Sequence, residues 1–545
     1  MADQTGAGRA GVDTAALAAT VSAWIADEID PAAAASLQGL IDAGDWAELA
    51  DRFSGPLAFG TAGLRGPIRS GPNGMNRAVV RRTAAGIASW LAGHGSAGAT
   101  VVIGYDARHG SYDFAHDSAG ILAAAGYEVL VLPRPLPTPV LAFSVLHFGA
   151  AVGIMVTASH NPPQDNGYKV YVGDGAQIVP PVDAEIEAAI RGVGSVRALP
   201  LSQTYRVVES DVVDRYVAAV VGLIADGPRD VRIVHTAMHG VGTEVMTRVL
   251  AAAGFGDVIE VEEQTRPDPD FPTVAFPNPE EPGALDLALA TAKSTGADVV
   301  IANDPDADRC GVAAVFADGW RMLRGDEVGV LLADALIRKG VVGTYATTIV
   351  SSSLLSVLAA DAGVGYAETL TGFKWLSRAA PDLAFAYEEA LGYAVAPGLV
   401  RDKDGVSAGL LVAELAASLA AAGSSLAGRL DELAEKYGLF ATDQLSYRVE
   451  DLSMITDAMA RLRAHPPTSL LGSAVSVEEL LPATDGVRLR WASGRVVVRP
   501  SGTEPKLKAY LEVVVTAASA EESAATARGL LTRLRGEMSA ALGLE

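Results

Sequence analysis

Short apolar, β-branched runs recur along this chain and alternate with longer Ala- and Leu-rich stretches whose apolar positions follow helical spacing. Residues 100–103, 128–132, 151–156, 231–235 and 298–302 read as strands, and residues 111–125, 212–224 and 283–293 as helices. Strand and helix taking turns in this way predicts repeated βα units and a mostly parallel sheet. Near residue 442 the pattern changes to strand, helix, strand, hairpin, helix, with runs 495–499 and 507–515 flanking the turn formers Pro500, Ser501 and Gly502. That stretch predicts a separate α+β domain.

A chain of 545 residues is too long for one hydrophobic core. At about 100 to 200 residues per domain it predicts three or four domains. Edges fall near residues 208, 322 and 435, giving α/β units over 1–208, 209–322 and 323–435 and an α+β domain over 436–545. The Pro- and Glu-rich stretch 266–282 reads as a long loop inside the second unit. No short solenoid repeat is visible, while three similar α/β units fit the segment lengths.

Hydrophobic residues at 50% and charged residues at 20% belong to an ordinary globular chain and exclude wholesale disorder. The net charge of −23 repels a nucleic-acid backbone, so no nucleic-acid partner is expected and a small anionic substrate needs a local basic pocket. Cys310 has no second cysteine to pair with, which predicts a reducing compartment, the cytoplasm. Asp3, Arg9 and Asp13 precede any apolar stretch, and the run from Ala15 is broken by Asp27, Glu28 and Asp30. That is the pattern of neither a signal peptide nor a membrane span. Oligomeric state leaves no mark in the sequence.

Thr157-Ala158-Ser159-His160-Asn161-Pro162 follows an apolar run, so Ser159 is expected at the carboxyl edge of a strand, where open α/β sheets bind ligands. A plain Ser/Asn turn before Pro162 has the same composition, and the Gly-x-Ser-x-Gly of a nucleophile elbow is absent. Neighbouring side chains of an extended loop point apart, which predicts that His160 is badly placed as a base for Ser159. Lys169 is the better proton carrier if cations around it draw its pKa toward neutrality. A solvated strand lysine is the alternative.

Asp304, Asp306 and Asp308 are spaced by two after an apolar run, and Pro305 disfavours a helix. In an extended chain such positions share one side, so three carboxylates converge on one ion. An EF-hand loop is excluded, because Arg309 and Val315 stand where that loop needs Gly and Glu. Oxygen ligands without Cys or His favour Mg²⁺ over Zn²⁺. A solvated acidic loop is the bland alternative, and repulsion among carboxylates this close argues for a cation. Arg309 adjoins the cage and can reach a transferred phosphoryl group or pair with one of the aspartates.

Arg499, Ser501, Gly502 and Thr503 combine a forked cation, two hydroxyls and a residue without a side chain, the makings of a phosphate-binding nest. A surface hairpin turn shares part of that composition, and a Walker loop is excluded because Gly-Lys-Ser/Thr is missing. Glu388 and Glu389 in Tyr387-Glu388-Glu389-Ala390-Leu391-Gly392-Tyr393 could accept hydrogen bonds from neighbouring sugar hydroxyls, or lie in a solvated turn.

Taken in order, these motifs resemble those of the α-D-phosphohexomutase superfamily, the phosphoglucomutases and phosphomannomutases, over Phe59 to Tyr510. The resemblance implies four domains around a central cleft: three related α/β units with mixed, mostly parallel sheets and a smaller, mobile α+β domain. It implies Ser159 as the phosphorylated nucleophile, Mg²⁺ held by Asp304, Asp306 and Asp308 with Ser159 beside it, and Glu388 on sugar hydroxyls. It assigns Arg499, Ser501, Gly502 and Thr503 to the phosphate that is not reacting. Arg65, in Gly60-Thr61-Ala62-Gly63-Leu64-Arg65-Gly66, matches the family's N-terminal active-site arginine, and Lys169 its proton-transfer lysine. The sugar loop usually reads Gly-Glu-x-Ser, and here Tyr387 and Ala390 replace its Gly and Ser. With Thr371-Gly372-Phe373-Lys374-Trp375 and Asp402-Lys403-Asp404-Gly405, the chain looks like the longer subgroup that includes phosphopentomutases and glucose-bisphosphate synthases.

The implied activity is a phosphosugar mutase interconverting sugar 1-phosphate and sugar 6-phosphate, glucose and/or mannose, through phosphoserine and a sugar bisphosphate. The same groups would serve a phosphopentomutase or a glucose-1,6-bisphosphate synthase. From other classes, a phosphohydrolase would release inorganic phosphate, and a non-catalytic sugar-phosphate sensor would have little need of serine, metal cage and phosphate grip together.

Overall fold

The computed structural model describes residues 13–60, 63–449, 451–501 and 506–544. Three of its sheets follow one plan, in which parallel strands are extended at one edge by antiparallel ones. The first runs in the order Leu64–Pro67, Asp165–Val172, Val152–Val156, Thr100–Tyr105, Glu128–Val131, Arg206–Val207. Its last four strands are parallel and its first two antiparallel. Val152–Val156 is buried at every position, the signature of a strand covered on both faces.

The second sheet orders Gly319–Met322, Gly311–Phe316, Val299–Ala302, Ile233–Thr236, Val258–Glu260, and the third Gly365–Thr369, Thr344–Thr348, Leu383–Glu388, Gly392–Ala394. Each repeats a strand, a short loop and an antiparallel return: Val152–Val156 into Asp165–Val172, Val299–Ala302 into Gly311–Phe316, Leu383–Glu388 into Gly392–Ala394. The three loops so formed carry Ser159, the aspartates and Glu389. The fourth sheet is antiparallel throughout, in the order Leu439–Arg448, Lys506–Val515, Gly494–Pro500, Val487–Trp491, Ser476–Glu479. Helices Ser453–Ala464 and Ala520–Leu542 accompany it.

One apolar core joins the three α/β units, with helix Gly405–Ala421 in it. That helix is apolar on almost every face and almost wholly buried. Asp404 caps it, accepting from Val406 N and Ser407 N at 3.0 Å each, which satisfies donors at the helix start. A Cβ on Gly405 would sit 2.2 Å from the Arg309 carbonyl oxygen, so only glycine lets the helix start against the aspartate loop. The C-terminal domain has a core of its own around Leu489, Val496, Leu507 and Leu534. Among the described residues no single helix is long and apolar enough to cross a membrane.

Residues 266–282 form a loop without helix or strand. The edge expected near residue 435 falls inside helix Leu426–Tyr437, which ends only at Gly438, where φ is +90°.

Candidate active site

A cleft of about 1230 Å³ is lined from all four sheets: Arg65 and His160 from the first, Arg309 from the second, Glu389 from the third, Ser501 and Lys508 from the fourth. Ser159 stands three residues past Val152–Val156 and is buried. Its Oγ donates to Asp304 Oδ2 at 3.0 Å, and its own N donates to Thr157 Oγ1 at 2.9 Å.

The loop at Ser159 is not extended, which corrects the expectation for His160. Ser159 has φ +54°, a left-handed turn that L-residues adopt at a cost. The turn brings His160 Nδ1 to 3.3 Å from Ser159 Oγ. Burial presses the His160 pKa well below 6.5, and Arg309, Arg65 and Lys169 push the same way, so the imidazole is neutral.

Holding that turn is Arg108, which the sequence motifs did not single out. Its guanidinium donates to the carbonyls of Ser159 and Asn161 at 2.6 Å each, and to those of Pro162 and Asp165 at 2.9 and 3.2 Å. Asp106 lies 3.3 Å from its Nε. The signal was present: Asp106 and Arg108 follow strand Thr100–Tyr105 directly, at the same carboxyl edge that drew attention to Ser159.

Asp304, Asp306 and Asp308 are fully buried and converge, each offering an oxygen within 4.8 Å of the others. They do so by a turn and not by strand alternation. Ala307 N donates to Asp304 O at 2.8 Å and Ala307 has φ +53°. Thr138 Oγ1 and Lys169 Nζ donate to Asp306 Oδ2 at 2.5 and 2.7 Å. Lys169 also reaches Asp308 Oδ2 at 2.8 Å, and Lys403 Nζ lies 3.4 Å from the same atom. Two lysines therefore offset part of the repulsion among these carboxylates.

Burial and the neighbouring Asp306 and Asp308 raise the Asp304 pKa well above 3.8. For Asp308 burial alone would do the same, but Lys169, Lys403 and Arg309 outweigh it and hold the carboxyl low. Asp306 Oδ1 and Asp308 Oδ1 are buried without any hydrogen-bond partner, a costly state for a carboxylate oxygen. Orphaned oxygens within an all-oxygen donor set fit a hard divalent cation.

Lys169 also departs from expectation. Burial pulls its pKa down, yet Asp306 and Asp308 more than offset this and leave it above 10.5. The cations foreseen around it are outweighed by the carboxylates it bonds.

Arg309 pairs with neither aspartate closely. Its Nε is 4.0 Å from Asp304 Oδ2 and from Asp308 Oδ1, while Nη1 donates to Ala390 O at 2.6 Å. With Cys310 N on Leu391 O at 3.0 Å, this ties the aspartate loop to the sugar loop. Arg65 Nη1 donates to Asn161 Oδ1 at 3.1 Å. Glu388 ends its strand, and burial lifts its pKa to about 7 against the pull of Lys403 and Arg309. Glu389 Oε2 accepts from Ser351 Oγ at 2.9 Å.

Lys403 was seen only as part of a subgroup motif, yet its two neighbours anchor separate units. Asp402 accepts from Tyr171 OH and Gln177 Nε2 at 2.8 and 2.7 Å, and Asp404 from Tyr216 OH at 2.8 Å. Ser501 lines the cleft, while Arg499, two residues earlier in strand Gly494–Pro500, is not among its lining residues. Arg499 Nε is buried without a partner. Gly502 and Thr503 lie outside the described residues.

Residues 56–196, 214–315 and 324–437 match the phosphoglucomutase/phosphomannomutase alpha/beta/alpha domains I, II and III, and residues 448–529 the C-terminal domain. The chain belongs to the phosphoglucomutase/phosphomannomutase family. It is 45% identical over 452 residues to a probable phosphomannomutase of Haemophilus influenzae, covering 81% of this chain and 93% of the relative. It is 36% identical to a probable phosphoribomutase of Schizosaccharomyces pombe, covering 90% and 92%. A putative phosphomannomutase from Thermus thermophilus superposes with TM-score 0.71 at 30% identity, covering 89% of this chain and 99% of that one. As a family member the chain is an enzyme of the phosphosugar mutase type.

Proposed function

We propose that this mutase interconverts hexose 1-phosphate and hexose 6-phosphate, of glucose and/or mannose, through phosphoserine at Ser159 and a sugar bisphosphate. The observation that carries the proposal is the Ser159 Oγ to Asp304 Oδ2 contact of 3.0 Å beside a cleft that residues of all four domains line. In the first half-reaction the bond between Ser159 Oγ and phosphorus breaks as a bond from the sugar hydroxyl oxygen to phosphorus forms, and the proton lost by the sugar hydroxyl ends on Ser159 Oγ, which is again a hydroxyl. The bisphosphate turns over and returns its other phosphoryl group to Ser159. Such transfer depends on positioning and charge neutralisation.

Asp304, Asp306 and Asp308, with Ser159 beside them, would hold Mg²⁺, which supplies positive charge to the transferred phosphoryl oxygens when bound. Arg309 and Lys403 extend the positive field toward the sugar loop. Neutral His160, 3.3 Å from Ser159 Oγ, would relay the proton to the departing serine oxygen, and Lys169 acts as a fixed charge on the aspartates. Glu388 and Glu389 face sugar hydroxyls, and Arg65 steadies the serine loop through Asn161. Arg499, Ser501, Gly502 and Thr503 would hold the phosphate that is not reacting. The single cysteine, Cys310, is buried and fits a cytoplasmic enzyme.

A pentose phosphate is the second reading. Ala390 removes a hydroxyl from the sugar loop, and relatives at 36% and 34% identity are named phosphoribomutase and phosphopentomutase. Turnover of glucose 1-phosphate, mannose 1-phosphate and ribose 1-phosphate, each primed with its bisphosphate and followed side by side, tests both. Hexose turnover exceeding pentose turnover is expected. Phosphate release without isomerisation would overturn the mutase mechanism.

A further inference from the structure

Ser351, Ser352 and Ser353 link strand Thr344–Thr348 to helix Leu354–Ala362, and each takes a carboxylate from a different place. Ser351 Oγ donates to Glu389 Oε2 at 2.9 Å, on the sugar loop. Ser352 N donates to Asp326 Oδ1 at 2.6 Å, at the start of helix Gly325–Arg338. Ser353 N and Oγ donate to Glu512 at 2.7 and 2.5 Å, on the C-terminal domain.

The C-terminal domain grips this turn further. Arg495, in strand Gly494–Pro500, donates through Nη2 to Ser351 O. Its Nε lies 3.2 Å from Glu512 Oε1 and its Nη1 3.1 Å from Glu368 Oε1. Arg495 and Glu512 are both nearly inaccessible to water. A small apolar cluster of Ile349, Val350, Val497 and Tyr510 accompanies them, half of it supplied by the same turn. Beside the packing of helix Leu426–Tyr437 on strand Leu439–Arg448 and helix Ala520–Leu542, part of the domain's seating on the third unit passes through residues 349–353.

We propose that Ser351 is a positioning residue that couples the seating of the C-terminal domain to the orientation of the Glu389 carboxylate. The Ser351 carbonyl faces Arg495 and its hydroxyl faces Glu389, so displacement of one disturbs the other. Glu389 N also donates to Ser351 Oγ at 3.2 Å, and Thr348 Oγ1 lies 2.8 Å from that hydroxyl and 3.2 Å from Glu389 Oε2. One oxygen of Glu389, Oε2, is thus committed to this turn, which orients the carboxylate. Correct seating of the domain would fix the other oxygen, Oε1, where a sugar hydroxyl can donate to it. The inference rests on the mutase reading and on Glu389 meeting sugar.

A double-mutant cycle tests it, with wild type, Ser351→Ala, Arg495→Met and the pair assayed on glucose 1-phosphate primed with glucose 1,6-bisphosphate. Ser351→Ala should raise KM about tenfold, the usual effect of losing a hydrogen bond to a charged group, with a smaller change in kcat. Ser351→Thr should restore most of it. Arg495→Met should raise KM similarly in the wild-type background and add little once Ser351 is alanine, because the link is already cut. Thermal unfolding of each variant separates misplacement from misfolding, and Arg495→Lys replaces Arg495→Met if the latter unfolds. Additive KM effects in folded variants would overturn the coupling while leaving the mutase intact. A wild type that turns over no sugar phosphate would remove both.

Discussion

Ser159 and Asp304, 145 residues apart, meet in a hydrogen bond of 3.0 Å between Oγ and Oδ2. Each stands just beyond the carboxyl end of a buried parallel strand. Two loops of equivalent topology from two repeats thus touch directly, beside the cleft that His160 and Arg309 line. Chemistry that neither loop could perform alone follows from that meeting.

Ser159→Ala removes the proposed phosphoryl acceptor. Labelled glucose 1,6-bisphosphate should leave label on the wild type and none on the variant. Turnover should fall on the order of 10³-fold or more, the scale on which loss of a nucleophile is felt. Equal labelling of both would exclude Ser159.

Asp306 Oδ1 and Asp308 Oδ1 lack partners, so a bound divalent cation should stabilise the fold. Mg²⁺ at a hundred times its Kd should add about 2.7 kcal/mol, seen as a rise in Tm, and chelator should abolish turnover. Asp306→Asn should lose both responses. Full activity in chelator would refute the metal site.

Arg108 is buried and serves four backbone carbonyls of the serine loop. Arg108→Met strands those carbonyls and leaves Asp106 without its cation, at a cost of about 3 to 5 kcal/mol. Arg108→Lys should recover only part, since an ammonium cannot span the fork's geometry. Denaturant unfolding measures the loss, and a cost under about 1 kcal/mol, the worth of an exposed pair, would show the clamp to be dispensable.

Asp326 carries a pH dependence whose sign can be stated. Burial pushes its carboxyl from 3.8 up to about 7, with Glu389 and Glu512 adding repulsion and the Ser352 N–H opposing. Above about pH 4 the folded protein keeps a proton that the unfolded chain releases. The group's contribution is therefore complete below that pH and is lost as pH rises through 7. Asp326→Asn stays neutral throughout, so its Tm should gain on wild type from pH 5 to 8. A Tm difference that does not vary with pH would contradict this.

Much of the fold was legible because its signals are local. Residues 151–156 and 298–302 read as strands from composition alone, and the structure has Val152–Val156 and Val299–Ala302 there. Ser159 and the three aspartates were legible for the same reason, being chemistry-bearing residues just past apolar runs. Arg108 escaped notice, and Lys403 was seen only within a motif and not as a partner of Asp308, because each acts on groups distant in sequence.

The sequence by itself determined which chemical groups are present, the alternation of strand and helix, and the family. Tertiary structure alone decided that Ser159 turns left-handed and carries His160 toward its hydroxyl. It decided that Lys169 is held charged by Asp306 and Asp308, and that Ser351 lies between Arg495 and Glu389. Periodicity is a property of neighbouring residues and survives in one dimension. Electrostatic shifts and hydrogen bonds depend on burial and on separations of a few ångströms, which only the folded chain sets.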